Sequence, residues 1–254
     1  MSELIETESL RLKWIRAPWD EAVCPFPVMQ VDQIEVRGNG AREDIRAFEE
    51  ARERIGAGLV SCRLPHDKLA ESMLLEACGF RFIEMLYAPH LDLAGIDAGV
   101  EPDDLTIAQA TEDDMPAVLR IAGSAFQNER FKMDPRLDPA ISDRRFQNWV
   151  ASTPAHPSQQ LFVISDHGRL VAFFVVETHP GGTCYWHLNA VAPDAQGQGY
   201  GQRVWSAMVR HARRNGAQRV RTSVVARNTR VMILYARLGF TLPPPAMTFH
   251  WVKE

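Results

Sequence analysis

The sequence predicts a mixed α/β fold (α+β, with mixed sheets) in which a smaller N-terminal part precedes a more complete C-terminal part. Three observations support this prediction. Apolar strand-like segments alternate with amphipathic helical segments through the second half of the chain. A glycine-rich run joins one of these strands to a helix, and a helix-to-strand junction near residue 80 repeats one near residue 240. A chain of 254 residues is also long enough for two domains.

The first half of the chain contains three strand patterns and two helical patterns. We predict strands over residues 28–36, 58–64 and 80–87, and helices over residues 42–55 and 68–78. This order predicts an N-terminal domain over residues 1–95, followed by a linker over residues 96–103.

The second half alternates more completely and predicts a domain over residues 104–254. Thr111 and Asp114 form a capping-box pattern before one helix, and Gly239 is a stop signal for another. The predicted elements are a strand at 105–108, a helix after Thr111, a helix at 141–150, strands at 161–165, 170–177 and 184–191, a helix at 203–214, a strand at 219–225, a helix at 228–239 and a strand at 247–252.

The glycine-rich run spans residues 191–201, between a predicted strand and a predicted helix. Gly197, Gly199 and Gly201 allow positive φ and the close approach of a ligand where a Cβ would clash. Backbone N–H groups at the helix N-terminus, with the partial positive charge there, predict a pyrophosphate-binding site. A Walker loop is excluded because no lysine follows the run. A dinucleotide-binding loop is disfavoured because basic residues, including Arg219, stand about twenty positions on, where an acidic residue is needed.

A second informative segment begins at Asn228, which stands at the start of a predicted helix. Tyr235 lies seven residues further on, so both side chains lie on one face of that helix, two turns apart. Two structural interpretations are the alternatives to a functional one: Asn228 as a helix cap and Tyr235 as an aromatic residue of the core.

The pattern Gln196-x-x-Gly199-x-Gly201, followed by Asn228 and Tyr235, resembles the acetyl-CoA-binding segments of the GNAT superfamily of N-acetyltransferases. The resemblance implies the GNAT acetyltransferase fold, acetyl-CoA as co-substrate without a metal, and transfer of acetyl to a primary amine of a small molecule in a ternary complex. It implies cofactor contacts from Ala190, Val191, Gln196, Gly197, Gln198, Gly199, Tyr200, Gly201 and Asn228.

The same resemblance implies catalytic roles. In the superfamily, the strand before the glycine loop splays from its neighbour and the pantetheine arm lies in the gap. Tyr235 is then expected to protonate the departing thiolate as general acid. His187, Glu177 and a chain of water molecules are alternative bases, because strand alternation does not reveal whether His187 faces the site.

The first half resembles the back part of the same domain. Residues 74–80 align with residues 234–240, but Leu75 stands where Tyr235 would be. Residues 37–40 do not match the glycine pattern either. We therefore predict that the N-terminal part is a degenerate, non-catalytic half-GNAT domain, with chance similarity as the alternative.

The acceptor is predicted from residues 126–136, together with Phe146 and Trp149, which resemble the dTDP-fucosamine acetyltransferase branch. That resemblance implies a nucleotide-linked amino sugar as acceptor, with its diphosphate bound by Arg130 or Arg136. The alternative is that both arginines brace an acidic loop. Other functional readings are a GNAT enzyme for another small amine or a protein N-terminus, and a non-catalytic acetyl-CoA sensor.

Composition limits the partners. The net charge of −4 combines −8 over residues 1–101 with +4 over residues 102–254, too small a basic excess to indicate nucleic-acid binding. Four scattered cysteines predict free thiols in a reducing compartment, and the histidines lack zinc-site spacing. No apolar stretch is long enough to span a bilayer, so we expect no membrane association and a cytoplasmic location, with a homodimer left open.

Overall fold

In the computed structural model, residues 2–96 and 105–253 are described. The predicted linker, residues 96–103, lies outside these residues except for Ile96. Within the described residues the predicted mixed α/β fold is confirmed: helices alternate with strands, and the strands form mixed sheets.

The elements before residue 96 exceed those predicted. They are β1 (Ser2–Glu6), β2 (Leu10–Arg16), α1 (Pro18–Glu21), β3 (Val28–Val36), α2 (Ala41–Asp44), α3 (Arg46–Ile55), β4 (Leu59–Pro65), α4 (Leu69–Ala77), β5 (Arg81–Tyr87) and β6 (His90–Asp92). The predicted single helix over 42–55 is two helices, which meet at the buried Ile45. The unpredicted β1 is mostly exposed and rich in glutamate, so its apolar alternation is weak.

The elements after residue 104 follow the predicted order closely. They are β7 (Leu105–Gln109), α5 (Met115–Ala125), α6 (Arg130–Met133), α7 (Ala140–Ser152), β8 (Gln159–Asp166), β9 (Arg169–His179), β10 (Thr183–Val191), α8 (Tyr200–Arg214), β11 (Arg219–Thr222), β12 (Val224–Val225), α9 (Thr229–Arg237) and β13 (Ala246–Val252). Thr111 and Asp114 form the predicted capping box before α5. The strand predicted over 219–225 is divided into β11 and β12.

The described chain divides into two compact units that are not continuous in sequence. Unit 1 comprises Met1–Leu86, Arg130–Ile141 and Pro244–Glu254, and unit 2 comprises Tyr87–Glu129 and Ser142–Pro243. The continuous ranges 1–95 and 104–254, expected from the sequence, therefore do not coincide with the units.

Unit 1 is built on a mixed sheet whose strands lie in the order β1-β2-β3-β4-β13-β5. The last strand of the chain, β13, pairs antiparallel with both β4 and β5, although the sequence placed it with the C-terminal domain. Central position explains why Phe249 and His250 of this strand are fully buried.

Unit 2 is built on a mixed sheet in the order β6-β11-β10-β9-β8-β7. Strands β7 to β10 form an antiparallel meander, and β11 lies parallel to β10. Helix α8 buries the apolar side chains that the helical period predicted: Val204, Ala207, Met208 and Ala212. Its N-terminus follows β10 after the loop of residues 192–199, and that junction positions the candidate site.

Candidate active site

The first feature of the site is a fork between β10 and β11. Their parallel pairing runs from Thr183 with Arg219 to Trp186 with Thr222, while β10 continues to Val191. The Thr222 hydroxyl donates to the Trp186 carbonyl at 2.9 Å, which marks the end of the paired region. Beyond it, one edge of β10 has no partner from β11 among the described residues. Extended backbone with an unpaired edge can accept another extended, amide-bearing chain.

Register decides which backbone groups face this open edge. Ala192 N–H donates to the Val171 carbonyl at 2.8 Å, and antiparallel bonds alternate along the strand. The backbone groups of Ala190 are therefore directed at Phe173 of β9, whereas those of Val191 are directed at the open edge. The Val191 carbonyl accepts there from Gln196 Nε2 at 3.3 Å.

The glycine loop leads from the fork into α8. Positive φ is confirmed at Gly197 (77°) and Gly199 (83°), but the same prediction is wrong for Gly201, which lies inside α8. A Cβ at Gly201 would meet Leu234 at 3.7 Å, an ordinary contact. Gly199 occupies the N-cap position, and no side chain of the described residues caps α8.

Side chains of the loop fix its shape and leave its amides open. Gln198 Nε2 donates to the Asp194 carbonyl at 2.8 Å, and Arg169 Nη2 lies 2.8 Å from the Asp194 carboxylate. The Tyr200 hydroxyl donates to Asp166 Oδ2 at 2.6 Å. The uncapped first turn of a 15-residue helix is an anion-binding geometry, and these residues fit a pyrophosphate.

Tyr235 lies beside the fork. Its side chain is 1% exposed and its ring lies 4.8 Å from the ring of Phe240. Burial raises the pKa of the Tyr235 phenol, and the side chains of Trp205, Thr222 and Asn189 act in the opposite direction. Thr222 is the last paired residue of β11 and Asn189 belongs to the unpaired part of β10. The hydroxyl is thus a protonated group placed where the two strands separate.

Asn228 caps the helix that carries Tyr235. Its Oδ1 accepts from the Val231 backbone N–H at 3.4 Å. The cap interpretation is therefore confirmed for the carbonyl side of this amide, and the predicted contact with acetyl-CoA stays a prediction.

The two candidate bases form one hydrogen-bonded pair. His187 Nε2 lies 2.8 Å from Glu177 Oε2, and the Ser158 hydroxyl donates to Glu177 Oε1 at 2.7 Å. His187 is placed by a β-bulge, because the register between β10 and β9 shifts between Trp186 and Leu188. The side chains of His187 and Glu177 are 17% and 18% exposed.

Electrostatics at this pair favour a neutral imidazole beside an ionised carboxylate. Hydrogen bonds from Ser158 and His187 hold the pKa of Glu177 below its usual value. Burial lowers the pKa of His187, although its bond to Glu177 raises it in part. The site at neutral pH therefore contains an uncharged ring nitrogen that can take up a proton.

Burial shows which side chains of β10 face the core, a question that the sequence left open. Trp186 and Leu188 face the core, whereas Tyr185, His187 and Asn189 share the partly exposed face of β10. The rings of Tyr185 and Trp149 lie 4.7 Å and 5.8 Å from that of His187. Sequence reasoning did not assign Ser158, Asn189 or Thr222 to the site, since single polar residues in strands carry no motif.

Arg130 and Arg136 lie in unit 1 and are engaged with carboxylates. Arg130 Nη2 lies 3.3 Å from Asp20 Oδ2. Arg136 makes two side-chain bonds of 2.9 Å to Asp134, which also contacts His250 Nδ1 at 3.0 Å. These contacts support the bracing interpretation, and binding of a diphosphate by either arginine stays a prediction.

Residues 2–96 and 105–253 also contain cysteines and other possible metal-ligating side chains. All four cysteines are free thiols, and burial raises the pKa of Cys184 to about 11. No group of three histidine, cysteine, aspartate or glutamate side chains in these ranges is arranged to hold a metal ion. None of the helices described there is both long and apolar enough to cross a bilayer.

Known proteins resemble the chain in sequence. Residues 121–240 match the model of the acetyltransferase (GNAT) family. The chain is 31% identical to the mycothiol acetyltransferase of Saccharopolyspora erythraea over 155 residues. This matched region covers 59% of this chain and 48% of that relative. It is 19% identical to the spore coat polysaccharide biosynthesis protein SpsD of Bacillus subtilis, over 91% of this chain and 80% of that relative. The chain spans about half the length of the mycothiol acetyltransferases it matches.

Among solved structures, the tandem GNAT protein from the clavulanic acid biosynthesis pathway has the same fold. It superposes with a TM-score of 0.62 at 14% identity, over 99% of this chain and 83% of that structure. Residues 121–240 therefore match the GNAT acetyltransferase family, and the fold that contains them is the one seen in the tandem GNAT protein.

Proposed function

We propose that the protein is an acetyl-CoA-dependent N-acetyltransferase that acetylates a primary amine of a small molecule by direct attack in a ternary complex. The observation that carries this proposal is the fork after Trp186, with the buried Tyr235 hydroxyl at its base and the uncapped N-terminus of α8 beyond its open end.

The pyrophosphate and the pantetheine arm of acetyl-CoA each have a matching group in unit 2. The amides from Gly197 to Gly201 and the first turn of α8 suit the pyrophosphate. The open edge of β10, at Val191, suits the amides of the pantetheine arm. Holding both reactants in the fork would replace a bimolecular encounter by an oriented one, which contributes much of the rate in such reactions.

Proton transfer is assigned to two groups that lie beside one face of β10. Tyr235 protonates the departing sulfur, which its raised pKa permits because the phenol is protonated at neutral pH. The base belongs to the His187–Glu177 pair. Asn189, which interacts with Tyr235, is two residues from His187 on the same strand face, so acid and base are neighbours.

The acceptor is proposed to be an amine carried on a sugar, of which a nucleotide-linked amino sugar is the finer proposal. One relative favours a sugar-related substrate by name, the spore coat polysaccharide biosynthesis protein SpsD. Tyr185 and Trp149 add partly exposed aromatic faces beside His187, on which a sugar ring can pack. The engaged state of Arg130 and Arg136 weakens the specific argument for a diphosphate.

The test is thiol release from acetyl-CoA with a panel of free amino sugars, dTDP- and UDP-amino sugars and simple amines, with product masses read in parallel. Tyr235→Phe is expected to lower kcat by about 10²- to 10⁴-fold, the usual contribution of a general acid. Its ring packing against Phe240 is retained, so folding is expected to survive. Tyr87→Phe, in the same unit but remote from these groups in sequence, is the matched control.

Turnover with a sugar amine alone supports the whole proposal. Turnover with simple amines only would retain acetyl transfer and discard the sugar. Tight acetyl-CoA binding without turnover on any amine would overturn the enzymatic proposal and favour a sensor.

A further inference from the structure

The hydrogen bond between His187 and Glu177 has a donor and an acceptor, and this direction shows which of the two residues can act as the base. Glu177 is ionised at neutral pH, and a carboxylate only accepts hydrogen bonds. The nitrogen that it contacts at 2.8 Å is Nε2 of His187. A neutral imidazole carries its single proton on one nitrogen, so that proton lies on Nε2 and the lone pair lies on Nδ1.

The carboxylate of Glu177 is itself held in place by hydrogen bonds to both of its oxygens. Its second carboxylate oxygen accepts from the Ser158 hydroxyl at 2.7 Å, and His179 Nδ1 lies 4.0 Å from the same oxygen. Each carboxylate oxygen therefore has a hydrogen-bond donor beside it. A carboxylate surrounded in this way is a weak base toward an incoming ammonium group, whereas Nδ1 of His187 has no partner among the described contacts.

We propose that His187 accepts the proton of the acceptor amine at Nδ1, and that Glu177 and Ser158 are positioning residues that fix this tautomer. The inference rests on the proposed acetyltransferase function. Of the two alternative bases, His187 is then the catalytic residue, and Glu177 acts with Ser158 to position it.

The protons balance. The acceptor ammonium loses one proton to His187 Nδ1, and the freed lone pair attacks the thioester carbonyl as the carbon–sulfur bond breaks. Tyr235 gives its proton to sulfur and regains one from the nitrogen as the amide forms. The imidazolium then releases its proton to solvent, so one proton is released per acetyl group transferred.

Other groups near the ring are compatible with this role. His179 and Glu177 reach the pair from β9, Tyr185 from β10 itself, and Trp149 from α7. The cation of Arg145 lies 5.7 Å from the Trp149 ring. His156 Nδ1 accepts from the backbone N–H groups of Ser158 and Gln159.

The experiment compares Glu177→Gln, His187→Gln and Ser158→Ala in the full chain, by kinetics and by 15N NMR of the histidines. Glu177→Gln is expected to lower kcat on the order of 10²-fold, with the KM for acetyl-CoA changed less than about two-fold. The same variant lowers the pKa of His187, because the carboxylate that raises it is removed, and moves the acid limb of kcat to lower pH. Glu177→Asp keeps the charge and is expected to recover part of the loss.

His211→Gln is the matched control. That imidazole is also half-buried, its pKa is also lowered by burial, and it lies against Phe162 with no carboxylate partner in the described part of the chain. It is expected to leave kcat and the tautomer of His187 unchanged.

Two results would overturn the inference. One is a wild-type 15N spectrum with the His187 proton on Nδ1. The other is a His187→Gln variant that keeps wild-type kcat while Glu177→Gln does not, which would make Glu177 the base. The NMR arm needs no turnover, so it decides the tautomer even if no amine is acetylated and the proposed function itself fails.

Discussion

The hydroxyl of Thr222 donates to the backbone carbonyl of Trp186 at 2.9 Å, at the last residue pair that joins β11 to β10. Both side chains are buried. The bond closes the paired region one residue before the bulge at His187, so a single side chain connects the end of the parallel pairing with the start of the open edge. Its loss should therefore affect both stability and the proposed pantetheine site.

Thr222→Val keeps the shape of the side chain and removes this bond. Leaving the carbonyl without its donor is expected to cost about 1–3 kcal/mol of unfolding free energy. The loosened fork is expected to raise the KM for acetyl-CoA several-fold. Denaturant unfolding and initial-rate kinetics measure the two effects.

Thr153→Val is the control for that prediction, because Thr153 is equally buried and donates to the Trp149 carbonyl at 3.0 Å. A similar loss of stability with an unchanged KM for acetyl-CoA is expected. If both variants changed the KM alike, the fork would have no special role.

Gly199→Ala tests the glycine loop. The residue has φ of 83° and no atom within 4 Å of an added Cβ, so the substitution strains the backbone without a clash in the free protein. A left-handed alanine costs about 1–2 kcal/mol, and its methyl group would lie where a pyrophosphate is proposed to bind. The KM for acetyl-CoA is expected to rise by more than the loss of stability alone explains.

Gly168→Ala carries the same strain at φ of 80°, also in open space, in the turn between β8 and β9. It should lower the melting temperature to a similar degree and leave acetyl-CoA binding intact. Equal loss of binding in both variants would attribute the effect to instability.

The pH dependence of acetyl transfer follows from His187. Its pKa is lowered from the ordinary value of about 6.5, chiefly by burial, and the neutral ring is the reactive form. Activity is therefore expected to rise with pH through a value below 6.5 and to be lost below it. Tyr235 adds no falling limb below about pH 10, because burial raises its pKa above the ordinary value of a tyrosine. An acid limb above 6.5 in kcat would contradict the assignment of His187.

Stability of unit 1 at mild acidity depends on His250. Burial lowers its pKa to about 4, against 6.5 for the free side chain, so the unfolded chain binds a proton that the folded unit does not. Stability is complete above pH 6.5 and falls as the pH drops toward 4. Linkage makes the total loss about 3 kcal/mol, spread over that window. Urea unfolding at several pH values measures the slope.

His250→Asn retains a donor toward Asp134 and removes the titration, so the slope between pH 6.5 and 4 is expected to decrease even if the variant is less stable. His167→Asn removes an imidazole that is 88% exposed and should leave the slope unchanged. A wild-type protein with equal stability at pH 6.5 and 4.5 would contradict the prediction.

Features with short-range causes were predictable along the chain. The bounds of β3 agree with the predicted strand over 28–36, and the capping box of Thr111 and Asp114 is present. Positive φ at Gly197 and Gly199 followed from residue type at a strand-to-helix junction. Side-chain periods, caps and turns depend on neighbours within a few residues, and such neighbours can be read directly.

Pairings between residues far apart in the sequence are seen only in the tertiary structure. The apolar pattern of β13 fits any sheet of suitable register, and only long-range burial places it between β4 and β5 in unit 1. Residues 130–141 likewise join unit 1, where Phe131 is fully buried. The bulge that brings His187 to Glu177 arises from a register shift between two strands, and register is a property of the pair that neither strand's sequence contains alone.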